Sequence, residues 1–250
     1  MHTTTATTPT TPTTTNAEPA VSAGTRLQLM WLASPALPVG GFSYSEGLEA
    51  AVEAGLVTDE AQASDWLLAQ LHLVLARSDL PALMQAAKAW QHSDSVAVKQ
   101  VNDWLAQTRE TAEIRAQSEQ MGRSLLEWLR NGTQADDPRL QQLATLKPAP
   151  LWPVAYALAA TLAQASPHDA ALSFAWSWAE NAAQATMKTV PLGQSAAQRI
   201  LSRLLTEIPA VVQSAQGLSQ QQPDQWQAFT PMLAILSAQH ETQYSRLFRS

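Results

Sequence analysis

The chain of 250 residues contains no cysteine. Disulfides, thiolate nucleophiles and thiolate-held zinc are therefore excluded, and the absence fits a reducing, cytoplasmic setting. Charge is scarce as well. Only 14% of residues are charged, against about 25% in an ordinary globular protein. Much of the polar surface must come from Gln, Ser and Thr, and a surface so weakly charged is easily buried against a partner. The net charge is −6 and no run of Lys and Arg occurs. Phosphate neutralisation and attachment to anionic lipid both need clustered basic side chains, so neither nucleic acid nor membrane is an expected partner. No apolar run approaches the ~18 residues of a membrane span. The opening stretch MHTTTATTPTTPTTTNAEPA lacks the apolar core of a secretory signal.

Motifs for chemistry are missing too. The five histidines, His2, His72, His92, His168 and His240, form no HxH, HxxxH or HExxH pattern, so no local metal site is expected. Gly40-Gly41 is followed by no Gly-Lys pair, which rules out a phosphate loop. The run Gly41-Phe42-Ser43-Tyr44-Ser45 misses the spacing of a GxSxG elbow. A serine hydroxyl without a nearby base and acid is idle. No catalytic, cofactor-binding or metal-binding residue is assigned, and the chain is not expected to be an enzyme.

What is present is helix signal. Residues 1–23 form a Thr/Pro tract with nothing to bury, expected to be a disordered tail. Residues 24–250 are expected to form one all-α domain of roughly nine or ten helices. The first runs from Thr25 to Ala33 and stops before Pro35 and Pro38. Another restarts near Ser45 and ends at Gly55. Thr58-Asp59-Glu60 carries a hydroxyl cap and acids at the positive end of the macrodipole. Ser78-Asp79-Leu80-Pro81 is expected to start a further helix reaching Gln91. Residues 95–130 make one long helix or two end to end, with Arg109 and Glu113 as i,i+4 neighbours. Ser118 and Gly122 there are small residues that let another helix approach. Ser166-Pro167 starts a helix reaching roughly Met187. Val190 to Gln194 break it, the next helix carries Pro209, and the last spans Trp226 to about Tyr244.

With only 9 glycines in the whole chain, the stretch SPALPVGGFSYSEGLEAAVEAG is unusually rich in turn formers. It is either a structural corner or a surface built to be touched. Nine tryptophans are many for this length; most are expected in the core and one or two at partner surfaces.

Four stretches taken together carry a resemblance. LASPALPVGGFSYSEGLEAAVEAG, RETAEIRAQSEQMGRSLL, VPLGQSAAQRIL and the terminal HETQYSRLFRS, in that order, resemble the UreF family of urease accessory proteins across residues 27–250. The Thr/Pro tract departs from the family. The resemblance implies an all-helical, non-enzymatic chaperone that forms homodimers. It implies binding to the accessory protein UreD (also called UreH), recruitment of the GTPase UreG, and delivery of nickel to apo-urease through the assembled complex. Modulation of GTP hydrolysis by UreG, with Arg246 or Arg249 reaching its active site, is the alternative role. The resemblance places partner binding on Phe42, Ser43, Tyr44, Ser45 and Glu46 in the loop. In the tail it places it on Tyr244, Arg246, Leu247, Phe248 and Arg249. The residues add a modest case of their own. An arginine suits interface ion pairs, and Leu247 and Phe248 are costly to leave exposed on a terminus. Docking of that tail on its own subunit is the other expectation.

Overall fold

The computed structural model describes residues 21–226 and 229–249. The chain is all-α, with eleven α-helices and no strand among the described residues. In order they are α1 (Ala23–Ala33), α2 (Leu48–Glu53), α3 (Glu60–Gln70), α4 (Leu80–Gln91), α5 (Ser95–Thr108) and α6 (Ala112–Arg130). There follow α7 (Pro138–Thr145), α8 (Trp152–Leu162), α9 (Pro167–Thr189), α10 (Gln194–Leu218) and α11 (Pro231–Glu241). No helix among the described residues is long and apolar enough to cross a membrane. The expected tail falls outside the described residues as far as residue 20.

Caps explain most of the helix starts. Ser22 accepts from the Thr25 N–H to open α1, one turn before the expected threonine cap. Asp59 accepts from the Gln62 N–H at α3, and Ser166 from the Asp169 N–H at α9, where Pro167 sits at the first position. The helix expected to start at Ser78 does not start there. The chain is helical from Glu60 to Gln91, and Leu71–Asp79 is wound as a π-helix between α3 and α4. A proline ring clashes with the carbonyl four residues before it. The wider winding just ahead of Pro81 relieves that clash and keeps the helix continuous. Pro209 is likewise absorbed inside α10, on its exposed face, where water can serve the freed carbonyl. The last helix is shorter than expected, because Pro231 opens it and the chain leaves helical geometry at Thr242.

The centre is α8. Every residue from Pro153 to Leu162 is buried, so this helix is apolar all round, as a helix enclosed by others must be. Its alanines let α4, α6 and α9 pack against it. Trp152, Tyr156 and Phe174 stack at ring separations of 5.2 to 6.0 Å. Trp90 is fully buried and donates through Nε1 to the Val154 carbonyl at 3.2 Å. Trp31, by contrast, is exposed on α1 beside Leu27 and Met30.

The small residues of α6 do meet a close neighbour, the start of α8 together with the segment that leads into it. The extended segment 148–151 crosses there. The Trp152 N–H donates to Ser118 Oγ at 3.0 Å, and Gly122 faces the Pro150 carbonyl. Asn102 holds the same segment from α5, donating to the Pro148 carbonyl and accepting from the Leu151 N–H at 2.9 Å. An extended segment has carbonyls with no partners of their own, so polar side chains and a bare glycine seat it more readily than a helix surface would.

Candidate partner-binding site

The site is built from the loop between α1 and α2 and from the tail beyond α11. In the loop, Gly41–Ser43 make one 3-10 turn, and Glu46 and Gly47 both take left-handed backbone, with φ of 51° and 77°. For glutamate this conformation is strained and must be held by its surroundings. It is held from inside. The Glu46 carboxylate accepts from Gln117 Nε2 of α6 and from Trp178 Nε1 of α9, each at 2.7 Å. Behind the loop lies a small cavity of about 50 Å³, walled by Tyr44, Glu46, Trp66, Gln117, Trp178 and Asn181. Arg109 and Asp79 close the far side of this interior with an ion pair at 2.5 Å. Arg109 therefore stands in the break between α5 and α6 and does not pair with Glu113 along a helix.

Burial pushes the Glu46 carboxyl above its ordinary value of 4.5. The Trp178 indole N–H opposes this, and the nearby Asp79 charge adds to it. The folded chain therefore binds this proton more tightly than the unfolded chain. The stability contributed is complete below about pH 4.5 and is lost as pH rises through the folded-state value. Glu46→Gln removes that loss. Melting temperatures of the variant and the wild type, compared between about pH 4.5 and about pH 7, are expected to diverge in the variant's favour as pH rises. A difference that stays constant across the range refutes the assignment.

The tail is fastened by side chains from three helices. The Leu247 and Phe248 N–H groups donate to the two oxygens of Glu49 on α2, at 2.7 and 3.0 Å. Arg246 donates to Glu113 on α6 at 2.9 Å. The Arg249 N–H donates to the Ser43 carbonyl at 2.8 Å, which joins the tail to the loop. Between the two carboxylates stands His240 of α11, fully buried. Its Nδ1 lies 2.9 Å from Glu113 and its Nε2 3.2 Å from Glu49. Phe248 is 6% exposed, with Lys188 Nζ 5.5 Å above its ring.

The ten residues named for partner binding separate into two groups. Phe42, Tyr244, Leu247 and Arg249 are exposed, Leu247 at 73%, and Arg246 is engaged by Glu113 at the surface. Tyr44 (8% exposed), Ser45 and Phe248 are buried in this chain, Ser43 is half-buried and Glu46 is turned inward. The expectation that Leu247 and Phe248 dock together holds for Phe248 only. The chain bends at both residues, which turns Phe248 into the core and leaves Leu247 outside. Reading the sequence missed Glu49, Glu113 and His240. A glutamate in SEGLEA and a histidine in AQHE look like ordinary helix residues, and no local spacing links them. Among the described residues no group of three or more acidic or histidine side chains is arranged to hold a metal. The exposed face of α11 adds Met232 and Ile235 at helical spacing, with Phe229 just before.

These features define a class: an all-helical protein whose candidate site is a surface made of a loop and a tail bound to each other. The comparisons go further. The UreF family model matches residues 57–205. The urease accessory protein UreF of Polaromonas sp. is 58% identical over 236 residues, 94% of this chain and 99% of the relative. That of Methylibium petroleiphilum is 59% identical over 228 residues, 91% and 95% of the two chains. A bifunctional urease accessory protein UreEF of Bordetella bronchiseptica is 44% identical over 239 residues, 93% of this chain but 53% of the relative. The chain belongs to the UreF family of urease accessory proteins, and its role lies in urease maturation.

Proposed function

We propose that this chain is a non-enzymatic bridge in nickel insertion into urease. As a homodimer it binds UreD and recruits the GTPase UreG, and the complex passes nickel, as cargo, to apo-urease in the cytoplasm. The observation that supports this most is the fastened tail beside the loop. It turns a chain terminus, ordinarily loose, into a surface with Phe42, Tyr244, Leu247 and Arg249 outward. Exposed apolar and aromatic side chains flanked by an arginine are what interface hot spots use. The bifunctional UreEF relative, whose name joins a second urease accessory unit to a UreF unit, is consistent with work alongside other maturation factors.

The test is removal of residues 243–250. The cut must fall after Thr242, because His240 is buried between Glu49 and Glu113. Co-expressed with UreD and UreG from the same source, the intact chain is expected to assemble a complex visible by light scattering. The shortened chain is expected to keep its helical circular-dichroism spectrum and stay alone. Equal assembly by both chains would reject the tail as the docking element.

A further inference from the structure

Glu49, Glu113 and His240 lie on α2, α6 and α11, outside the loop and tail segments that carry the exposed side chains. We propose that they form a clasp that positions the tail for its partner without touching that partner. This rests on the partner-binding reading above.

The tail beyond Thr242 is not helical, so its peptide groups need partners from elsewhere. Glu49 supplies them with both oxygens to two consecutive N–H groups. That bidentate hold orients two successive peptides and so sets the register. Phe248 points into the core and Leu247 points out. A slip of one residue would exchange them and carry Arg246 away from Glu113. Glu113 is the second grip, on the Arg246 guanidinium. The His240 ring, with one nitrogen against each carboxylate, holds the two grips at a fixed separation. Hydrogen bonds with an ionised partner are the short and strong ones, so three buried side chains suffice to order a terminus. Because α2 follows the loop directly and Arg249 bonds to Ser43, loop and tail are presented as one unit.

Glu49→Gln in the full chain tests this. The amide keeps the volume, but only one of its two polar atoms accepts, and its NH2 opposes a tail N–H. Three quantities are measured: amide hydrogen exchange at Leu247 and Phe248, capture of co-expressed UreD and UreG, and melting temperature. Exchange at the two amides is expected to rise, and capture to fall, by roughly 10-fold or more, the loss of one charge-assisted bond. Melting is expected to move by less than about 4 °C. A purely structural role would instead move melting and all amides together, which overturns the clasp. So does release of the two amides with capture intact, or lost capture with both amides still protected. If the wild type captures neither protein, it is the partner reading that falls. Should Glu49→Gln fail to fold, Glu113→Gln, which frees Arg246, carries the same comparison.

Discussion

Gly122→Ala is expected to destabilise the fold by about 3 kcal/mol or more, lowering the melting temperature by roughly 6–12 °C. An added Cβ would lie 2.0 Å from the Pro150 carbonyl oxygen, 2.9 Å from its carbon and 3.2 Å from the Leu151 carbonyl carbon. All three are backbone atoms, so no side chain can rotate aside. Either α6 separates from the segment 148–151 or that segment moves. Its movement strains the Ser118 bond to Trp152 and the Asn102 bonds to Pro148 and Leu151. The propensity gain of alanine over glycine in a helix, about 1 kcal/mol, is too small to offset this. Gly217→Ala in α10, with no atom within 4 Å of its added Cβ, isolates the propensity effect and should be neutral or stabilising. Thermal denaturation of the two variants decides the matter. Equal melting temperatures would mean that the segment yields freely.

His240→Ala carries the other large effect. The imidazole is the bridge between Glu49 and Glu113, whose side chains are themselves about nine-tenths buried. Without it each carboxylate loses its buried ring partner, and Glu49 keeps only the tail N–H groups and Glu113 only Arg246. Breaking a buried pair by removing one member costs about 3–5 kcal/mol, because the members left behind lose a partner that the interior cannot replace. For a chain of this size that is a fall of roughly 6–20 °C in melting temperature. The double variant His240→Ala, Glu113→Gln removes one of the stranded charges and should recover part of the loss. The two changes are in contact and therefore not additive. A fall of under about 2 °C for His240→Ala, with nothing recovered in the double variant, would show that water serves these carboxylates as well as the ring does.

Gly122 marks how far the sequence carries. Gly122 was visible as a small residue one turn from Ser118, and close packing followed. That the backbone nearest Gly122 is the extended lead-in to α8 and not the helix itself was not visible. The distinction depends on Asn102 and Ser118 turning polar atoms toward a stretch of chain from elsewhere. Helix starts were legible at Thr58-Asp59-Glu60 and Ser166, although the oxygen that caps the first is the Asp59 carboxylate and not the expected Thr58 hydroxyl. The start expected at Ser78 was wrong, because a proline near a helix start and a proline after a π-wound turn look alike in one dimension.

The loop and the terminal tail stood out as segments, since turn formers and apolar terminal residues are local signals. What those residues do with their side chains did not. Glu46 faces inward because Trp178 and Gln117 donate to it from behind, and Tyr44 is buried beside it. The sequence by itself determined the all-helical class, the family and most helix bounds. Caps, prolines and a 3.6-residue period act between residues three or four apart. Only the tertiary structure decided the clasp. His240 meets Glu49 across 191 residues of chain, and a contact at that separation exists only once helices α2, α6 and α11 have packed.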